Sequence, residues 1–435
     1  MHRRTWILAV ASTATAAVIA QRSSFANLNF DFPKTVSPEP FEIRVDQSFV
    51  DLTLRKVRGY RPSQSLFSNW TIEGPPDWAT ASLAEHWGKD YQWRAAEERI
   101  NKFEHYATTV PGSRNYSAPI PLHFVHQRSN SSDATPVLLL HGWTSSHFEW
   151  SRVIGPLAHG DNKTFHVVAP DLPGYGFSPA PNQPNMGPRE MGAAFDALMK
   201  QLGYETYGVI STDLGWVIGM WMASDFQDSL TGLFTDFYRV PPLPTDFARQ
   251  TMNKTTKEES DFIEVSNAWD SSHAVYGKAQ AQKPQALSVA LTDSPVGFAS
   301  WLWDLRYTIS DDYQYSFDEL ITDTMLLWIQ SPYGSMRSWL EFNTMLPKTD
   351  VPTGVAQWGN INGPFSSLAN FPLIVSAVTP LYLLEIVLRQ HQPRQWAERT
   401  SNIVYWKRHL FGGHYPFVTH PDLWIADVKE FFSSL

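Results

Sequence analysis

Four short apolar runs lie between residues 136 and 237, and each ends in a turn: "PVLLLHG" (Pro136–Gly142), "FHVVAPDLPG" (Phe165–Gly174), "YGVIST" (Tyr207–Thr212) and "LTGLFTDF" (Leu230–Phe237). Runs this short and this uniformly apolar read as strands buried on both faces. Helical spacing between them, as in Gly215–Asp225, makes the pattern strand–helix–strand. That pattern predicts an α/β fold: a mostly parallel central sheet with helices on both faces. "PLHFVHQ", beginning at Pro121, reads as a preceding strand. "PLIVSAVTP" from Pro372 and "NIVYWKR" from Asn402 resume the strand pattern. The gap between, about Pro241 to Ser366, reads as helical and aromatic-rich. It is expected to cover the carboxyl ends of the strands, where such sheets place their sites.

The remaining segments are less regular. Residues 21–115 hold two stretches of helical apolar spacing around a proline-rich loop, and are expected to pack on something larger. At the N-terminus, Arg3 and Arg4 precede the apolar stretch 5–20, which is short for a membrane span. It reads as a cleaved secretory signal or an uncleaved membrane anchor. Sequons at Asn69, Asn115, Asn130, Asn162 and Asn253 agree with a secretory route. The formal charge of −9 and the lack of a basic run give no support for nucleic-acid binding. The chain has no cysteine, which excludes disulfides, thiolate nucleophiles and Cys-ligated zinc. The oligomeric state is not legible.

The chemistry concentrates at the strand ends. In "VISTDLGWVIGMW" (Val209–Trp221) a strand turns into a helix around a carboxylate. A tight strand–turn–helix needs small residues two positions either side of its tip. Centred on Asp213, those positions hold Ser211 and Gly215; no G-x-S-x-G occurs in the chain. Asp213 is therefore the candidate nucleophile, with a helix N-cap as the competing reading. "HGW" (His141–Trp143) follows a buried strand, where backbone N–H groups can form an oxyanion hole. In "GGHYPF" two glycines leave His414 free to point into a site as a base.

As a set, HGW, DLPGYGFS (Asp171–Ser178), the Asp elbow and GGH resemble the microsomal-type epoxide hydrolases of the α/β-hydrolase fold. "EHWGKDYQWRAAEERINKFEHY" resembles that family's N-terminal domain, and "LTDSPVGFASWLWD" (Leu291–Asp304) its lid. The patterns above and the resemblance together divide the chain into five expected parts: a signal or anchor (1–20), an N-terminal domain (21–115), a first core part (116–240), a helical lid inserted after the sixth strand (241–366) and a second core part (367–435). The resemblance implies that Asp213 attacks an epoxide carbon to form an ester, that His414 activates water, and that the Trp143 and Leu214 N–H groups hold the oxyanion. Tyr276 matches the first lid tyrosine; Trp339 stands where the second would be. Trp339 and Trp150 are expected to line the substrate pocket. Thr144 replaces the proline of HG-x-P, and Leu214 the usual elbow tryptophan. The acid behind His414 is expected at Glu385, one helical turn beyond Leu381, where the family count falls; Asp236 is the alternative.

The resemblance implies no cofactor and no metal, with an epoxide and water as partners. The aromatic lid (Trp301, Trp303, Trp328, Tyr333 and Trp339) favours a bulky apolar substrate. Two other outcomes stay open at this level: an epoxide-opening cyclase of a fungal secondary-metabolite pathway, and a degenerate homologue that only binds a ligand.

Overall fold

A computed structural model describes residues 30–359 and 391–435, except 31, 35–36, 69, 71–72 and 343–344. One nine-stranded sheet organises these residues, in the order β1-β2-β3-β5-β4-β6-β7-β8-β9. Its strands are β1 (Glu39–Pro40), β2 (His105–Val110), β3 (Ile120–Gln127), β4 (Thr135–Leu140), β5 (Phe165–Pro170), β6 (Tyr207–Ser211), β7 (Leu230–Thr235), β8 (Thr349–Gly359) and β9 (Ser401–Gly412). The pairings β1–β2, β2–β3 and β3–β5 are antiparallel. From β5 across to β9 every pairing is parallel. The apolar runs are the central strands: Val137–Leu140 in β4, Val167–Ala169 in β5 and Tyr207–Ile210 in β6 lie wholly in the core. Uniform apolarity follows from cover on both faces.

The span expected to be wholly helical is not. Its described helices run from Pro244–Thr251 to Tyr333–Glu341. The sheet then resumes at β8, well before the expected boundary at 366. β8 is hidden in sequence by Pro352, Gly354 and interspersed polar residues. A register shift between Thr349 and Pro352 accommodates the proline, and pairing to β7 and β9 holds the strand. The run Pro372–Pro380, expected to be a strand, lies outside the described residues. Counted from β2, the helical insertion still follows the sixth strand. Its helices start on local signals: capping boxes at Thr256 with Glu259 and Ser316 with Glu319, and prolines at the first turns of Pro284–Asp293 and Pro295–Ile309.

The N-terminal region is less separate than its sequence implies, since it contributes β1 and β2 to the sheet. Its helices Gln47–Arg58, Asp77–Lys89 and Trp93–Ile100 pack on the lid: Val57, Leu83, Trp87 and Ile100 share one apolar cluster with Val296, Leu320 and Met325. The N-terminal helices thereby brace the lid. No described helix is long and apolar enough to cross a membrane.

Candidate active site

The elbow forms as the residue sizes require. β6 ends at Ser211, Thr212 is extended, and Asp213 takes a left-handed φ of 47° at the start of the helix Asp213–Asp225. A non-glycine residue there is strained by about 1–3 kcal/mol and persists only where its surroundings hold it. A Cβ on Gly215 would stand 2.2 Å from the Leu140 carbonyl oxygen, and one on Gly142 would stand 2.3 Å from Asp213. Both glycines are therefore space requirements of the turn.

Asp213 is not a helix cap. Its Oδ1 accepts the Trp143 backbone N–H at 2.9 Å, and the Leu214 N–H also stabilises the carboxylate. Burial outweighs these bonds and pushes Asp213 up to about 6. The side chain keeps 14% of its surface, so the carboxylate fronts a small space. Its other oxygen, Oδ2, lies 3.9 Å from His414 Nε2. That is too long for a hydrogen bond and fits a bridging water. His414 follows β9, its backbone N–H donating to the Ile309 carbonyl at 2.7 Å. Its ring meets Phe237 edge-on at 5.3 Å. Burial, then the Arg306 charge, drives it down to about 3, so His414 is neutral and able to accept a proton.

The lid supplies the opposite wall. Tyr276 stacks on Trp143 at 5.3 Å and 6°. Trp339 meets both rings edge-on, Tyr276 at 5.5 Å and Trp143 at 6.1 Å. Burial, then the Asp213 charge, pushes the Tyr276 phenol up, so it is a neutral donor. The buried indole N–H of Trp339 has no partner among the described residues. Trp150, by contrast, is sealed in the core against Phe417 (4.4 Å) and Trp424 (5.6 Å) and has no exposed surface. The pocket role expected for it does not hold, because Phe417 and Trp424 enclose its ring and leave it no free surface.

Asp236 is not the partner of His414 here. Its Oδ2 accepts the Trp424 indole N–H at 2.6 Å, and burial pushes the group up to about 7. Among the described residues, no carboxylate except Asp213 comes within ion-pair reach of His414. Glu385 lies outside the described residues.

Three groups escaped the sequence reading. Arg306, buried on the lid helix Pro295–Ile309, donates to Thr144 through Nε to Oγ1 (3.1 Å) and through a terminal nitrogen to the carbonyl (3.2 Å). It is paired with Asp323 at 2.7 Å. The Tyr415 hydroxyl also bonds Thr144 Oγ1, at 3.1 Å. Thr144, in place of proline, thus ties the oxyanion loop to the lid and to the turn after His414; the Trp143–Thr144 peptide is cis. The third is Glu149, whose carboxyl is buried without a hydrogen-bond partner and pushed well up by burial. It lines a cavity of about 200 Å³ with Arg306, Tyr315 and Tyr415. A lone arginine on the apolar helix Pro295–Ile309 was the one available signal.

Comparison with known proteins identifies the family. Residues 38–150 match the family model described as "Epoxide hydrolase N terminus", and residues 135–421 match "alpha/beta hydrolase fold". A Stigmatella aurantiaca protein named "Putative epoxide hydrolase" is 30% identical over 91% of this chain and 85% of its own length. Epoxide hydrolase 1 of Sus scrofa is 23% identical, over 92% of this chain and 89% of its own. Among solved structures, the juvenile hormone epoxide hydrolase of Bombyx mori superposes with a TM-score of 0.77 at 22% identity, covering 94% of this chain and 96% of that one. The epoxide hydrolase of Aspergillus niger gives 0.75 at 22%, covering 93% and 98%. At those identities the two structures speak for the fold, whereas the family model and the first relative carry the assignment: the chain belongs to the epoxide hydrolases of the α/β-hydrolase fold.

Proposed function

We propose that this epoxide hydrolase opens an apolar epoxide to a vicinal diol through an ester on Asp213. The observation that carries the reading is the division of labour between the two Asp213 oxygens. Oδ1 is held by the Trp143 N–H, while Oδ2 is aimed towards His414. In the first step Oδ2 attacks an epoxide carbon, the carbon–oxygen bond breaks, and the alkoxide takes a proton from the Tyr276 hydroxyl. In the second, His414 takes a proton from water, and the hydroxide adds to the ester carbonyl carbon. The negative charge then develops on Oδ1, which the Trp143 N–H already holds, with the Leu214 N–H also at the carboxylate. Collapse releases the diol, whose leaving oxygen takes the acid proton, and returns the carboxylate with one oxygen from water; the proton on His414 restores the Tyr276 hydroxyl. Trp339 would give a second hydrogen bond to the epoxide oxygen, but not a proton. We assign Glu385 as the acid that orients His414. Trp143, Trp269, Trp339 and Phe237 around the site support an apolar substrate.

A single turnover in heavy-oxygen water with excess enzyme and a generic aryl epoxide tests the route. The expected result is an unlabelled diol and one heavy oxygen in the peptide carrying Asp213. Label appearing directly in the first diol would overturn it.

We further propose passage through the secretory route. The described sequon asparagines Asn115, Asn130, Asn162 and Asn253 are all exposed, and Asn69 lies outside the described residues. A mass shift on enzymatic deglycosylation is expected from the native source.

A further inference from the structure

Beside Asp171 three buried histidines meet: His105 from β2, His123 from β3 and His147 from the start of the 3-10 turn His147–Arg152 after β4. One ring nitrogen of each lies within 4.8 Å of the others. The hydrogen bonds at the opposite ring edges decide what those nitrogens carry. Asp171 accepts from His123 Nδ1 (2.7 Å) and from His147 Nδ1 (2.9 Å). It also accepts the backbone N–H groups of His147 and Phe177, both at 2.8 Å. With four donors on two oxygens it is an acceptor only, so both Nδ1 atoms carry hydrogen. His105 Nε2 stands 2.8 Å from the Ile100 carbonyl, which can only accept. A neutral ring has one hydrogen. In the neutral form of the cluster, the form that takes a metal, His105 Nδ1, His123 Nε2 and His147 Nε2 are therefore the lone pairs. His105 Nδ1 and His123 Nε2 face each other at 2.9 Å, and His147 Nε2 is buried without a partner.

We propose that these three nitrogens bind one divalent transition-metal ion of the Zn²⁺ class, as a structural centre separate from the Asp213 site. Zinc takes neutral imidazole at ~2.0–2.1 Å, so two nitrogens on a tetrahedral ion stand about 3.3 Å apart. His105 Nδ1 and His123 Nε2 stand 2.9 Å apart and one nitrogen of each of the three rings lies within 4.8 Å of the others, so side-chain adjustment brings the rings round one ion. Asp171 already holds two of the rings as second-shell carboxylates do, fixing tautomer and orientation. The ion would clip β2, in the N-terminal region, to β3 and the loop that carries Trp143. The ligands lie far apart in sequence, so no short spacing announces them.

The cluster is buried, so the ion is supplied during expression in zinc- or cobalt-supplemented medium, and the full chain is then desalted against a weak chelator. The expected result is about one metal per chain by plasma mass spectrometry, with the visible bands of nitrogen-ligated cobalt in the cobalt form. His147→Phe, which places an aromatic ring beside Phe148 and Phe177, is expected to lower retained metal at least tenfold, and His105→Asn likewise. His414→Ala keeps the metal, which separates the site from the catalytic histidine. If His147→Phe does not fold, His147→Asn and His105→Asn answer the same question. Wild-type protein holding less than a tenth of an equivalent, or folded histidine variants retaining metal like wild type, would overturn the proposal and leave a shared proton in the cluster.

Discussion

Asp171 and Asp213 are both buried, both follow a strand of the same sheet, and both lie near histidines, yet they have opposite character. Asp171 accepts four hydrogen bonds and is held well below the usual carboxylate range, the His147 and His123 contacts outweighing its burial. Asp213 has two backbone N–H groups on its side, and burial still pushes it up to about 6. The histidines that face Asp171, by charge and by hydrogen bond, and not burial, separate the two. A fully satisfied carboxylate is a structural pin. A partly satisfied one keeps a free oxygen with which to attack, at the cost of some stability.

The strongest way to break this comparison is to neutralise each aspartate. Asp213→Asn should lower steady-state turnover on the order of 10⁴-fold or more while leaving a folded protein. Asp171→Asn should instead lose about 3–5 kcal/mol of stability, because it uncouples a buried network, and denaturant melts would register it. An Asp171→Asn protein as stable as wild type, or an active Asp213→Asn, would collapse the distinction.

Stability should also respond to Asp213→Asn in the other direction, and the pH dependence gives the sign. The folded pKa is raised above the ordinary 3.8, so above about pH 6 the native state carries the whole penalty of a buried charge. Below about pH 3.8 both states are protonated and the penalty vanishes. Asn should therefore stabilise by about 2–3 kcal/mol at pH 8, the difference shrinking to nothing towards pH 4. Thermal melts at both pH values check this; a gain that ignores pH would mean that packing, not charge, is responsible.

Tyr276→Phe should slow ester formation about 10²-fold, measured in single turnovers. The same step in wild type should fall tenfold per pH unit below about pH 6 as Asp213 becomes protonated. No matching limb is expected near pH 6.5 from His414, which is driven down to about 3. The smallest effect is reserved for Trp339→Phe, about fivefold, the worth of one hydrogen bond. A larger loss there than in Tyr276→Phe would reverse the roles of the two lid residues.

Much of the fold was legible because its signals are local. Apolar runs buried on both faces, a turn that tolerates only small neighbours, and glycines beside a histidine are all written within a few residues of one another. The same kind of signal misled at β8, where Pro352 and Gly354 mask a strand that only its neighbours stabilise. It misled again at Trp150, whose aromatic ring says nothing about which neighbours will enclose it.

The sequence by itself determined the α/β order, the elbow at Asp213, the family and the identity of the candidate base, since each rests on contacts between chain neighbours or on motif order. Only the tertiary structure decided which oxygen of Asp213 is free, that Asp236 bonds Trp424 instead of His414, that Arg306 braces Thr144, and that three distant histidines share one space. The physical reason is common to all four. Desolvation, ion pairing and hydrogen-bond satisfaction depend on what surrounds a group in space, and that environment is assembled from segments that the chain keeps far apart until it folds.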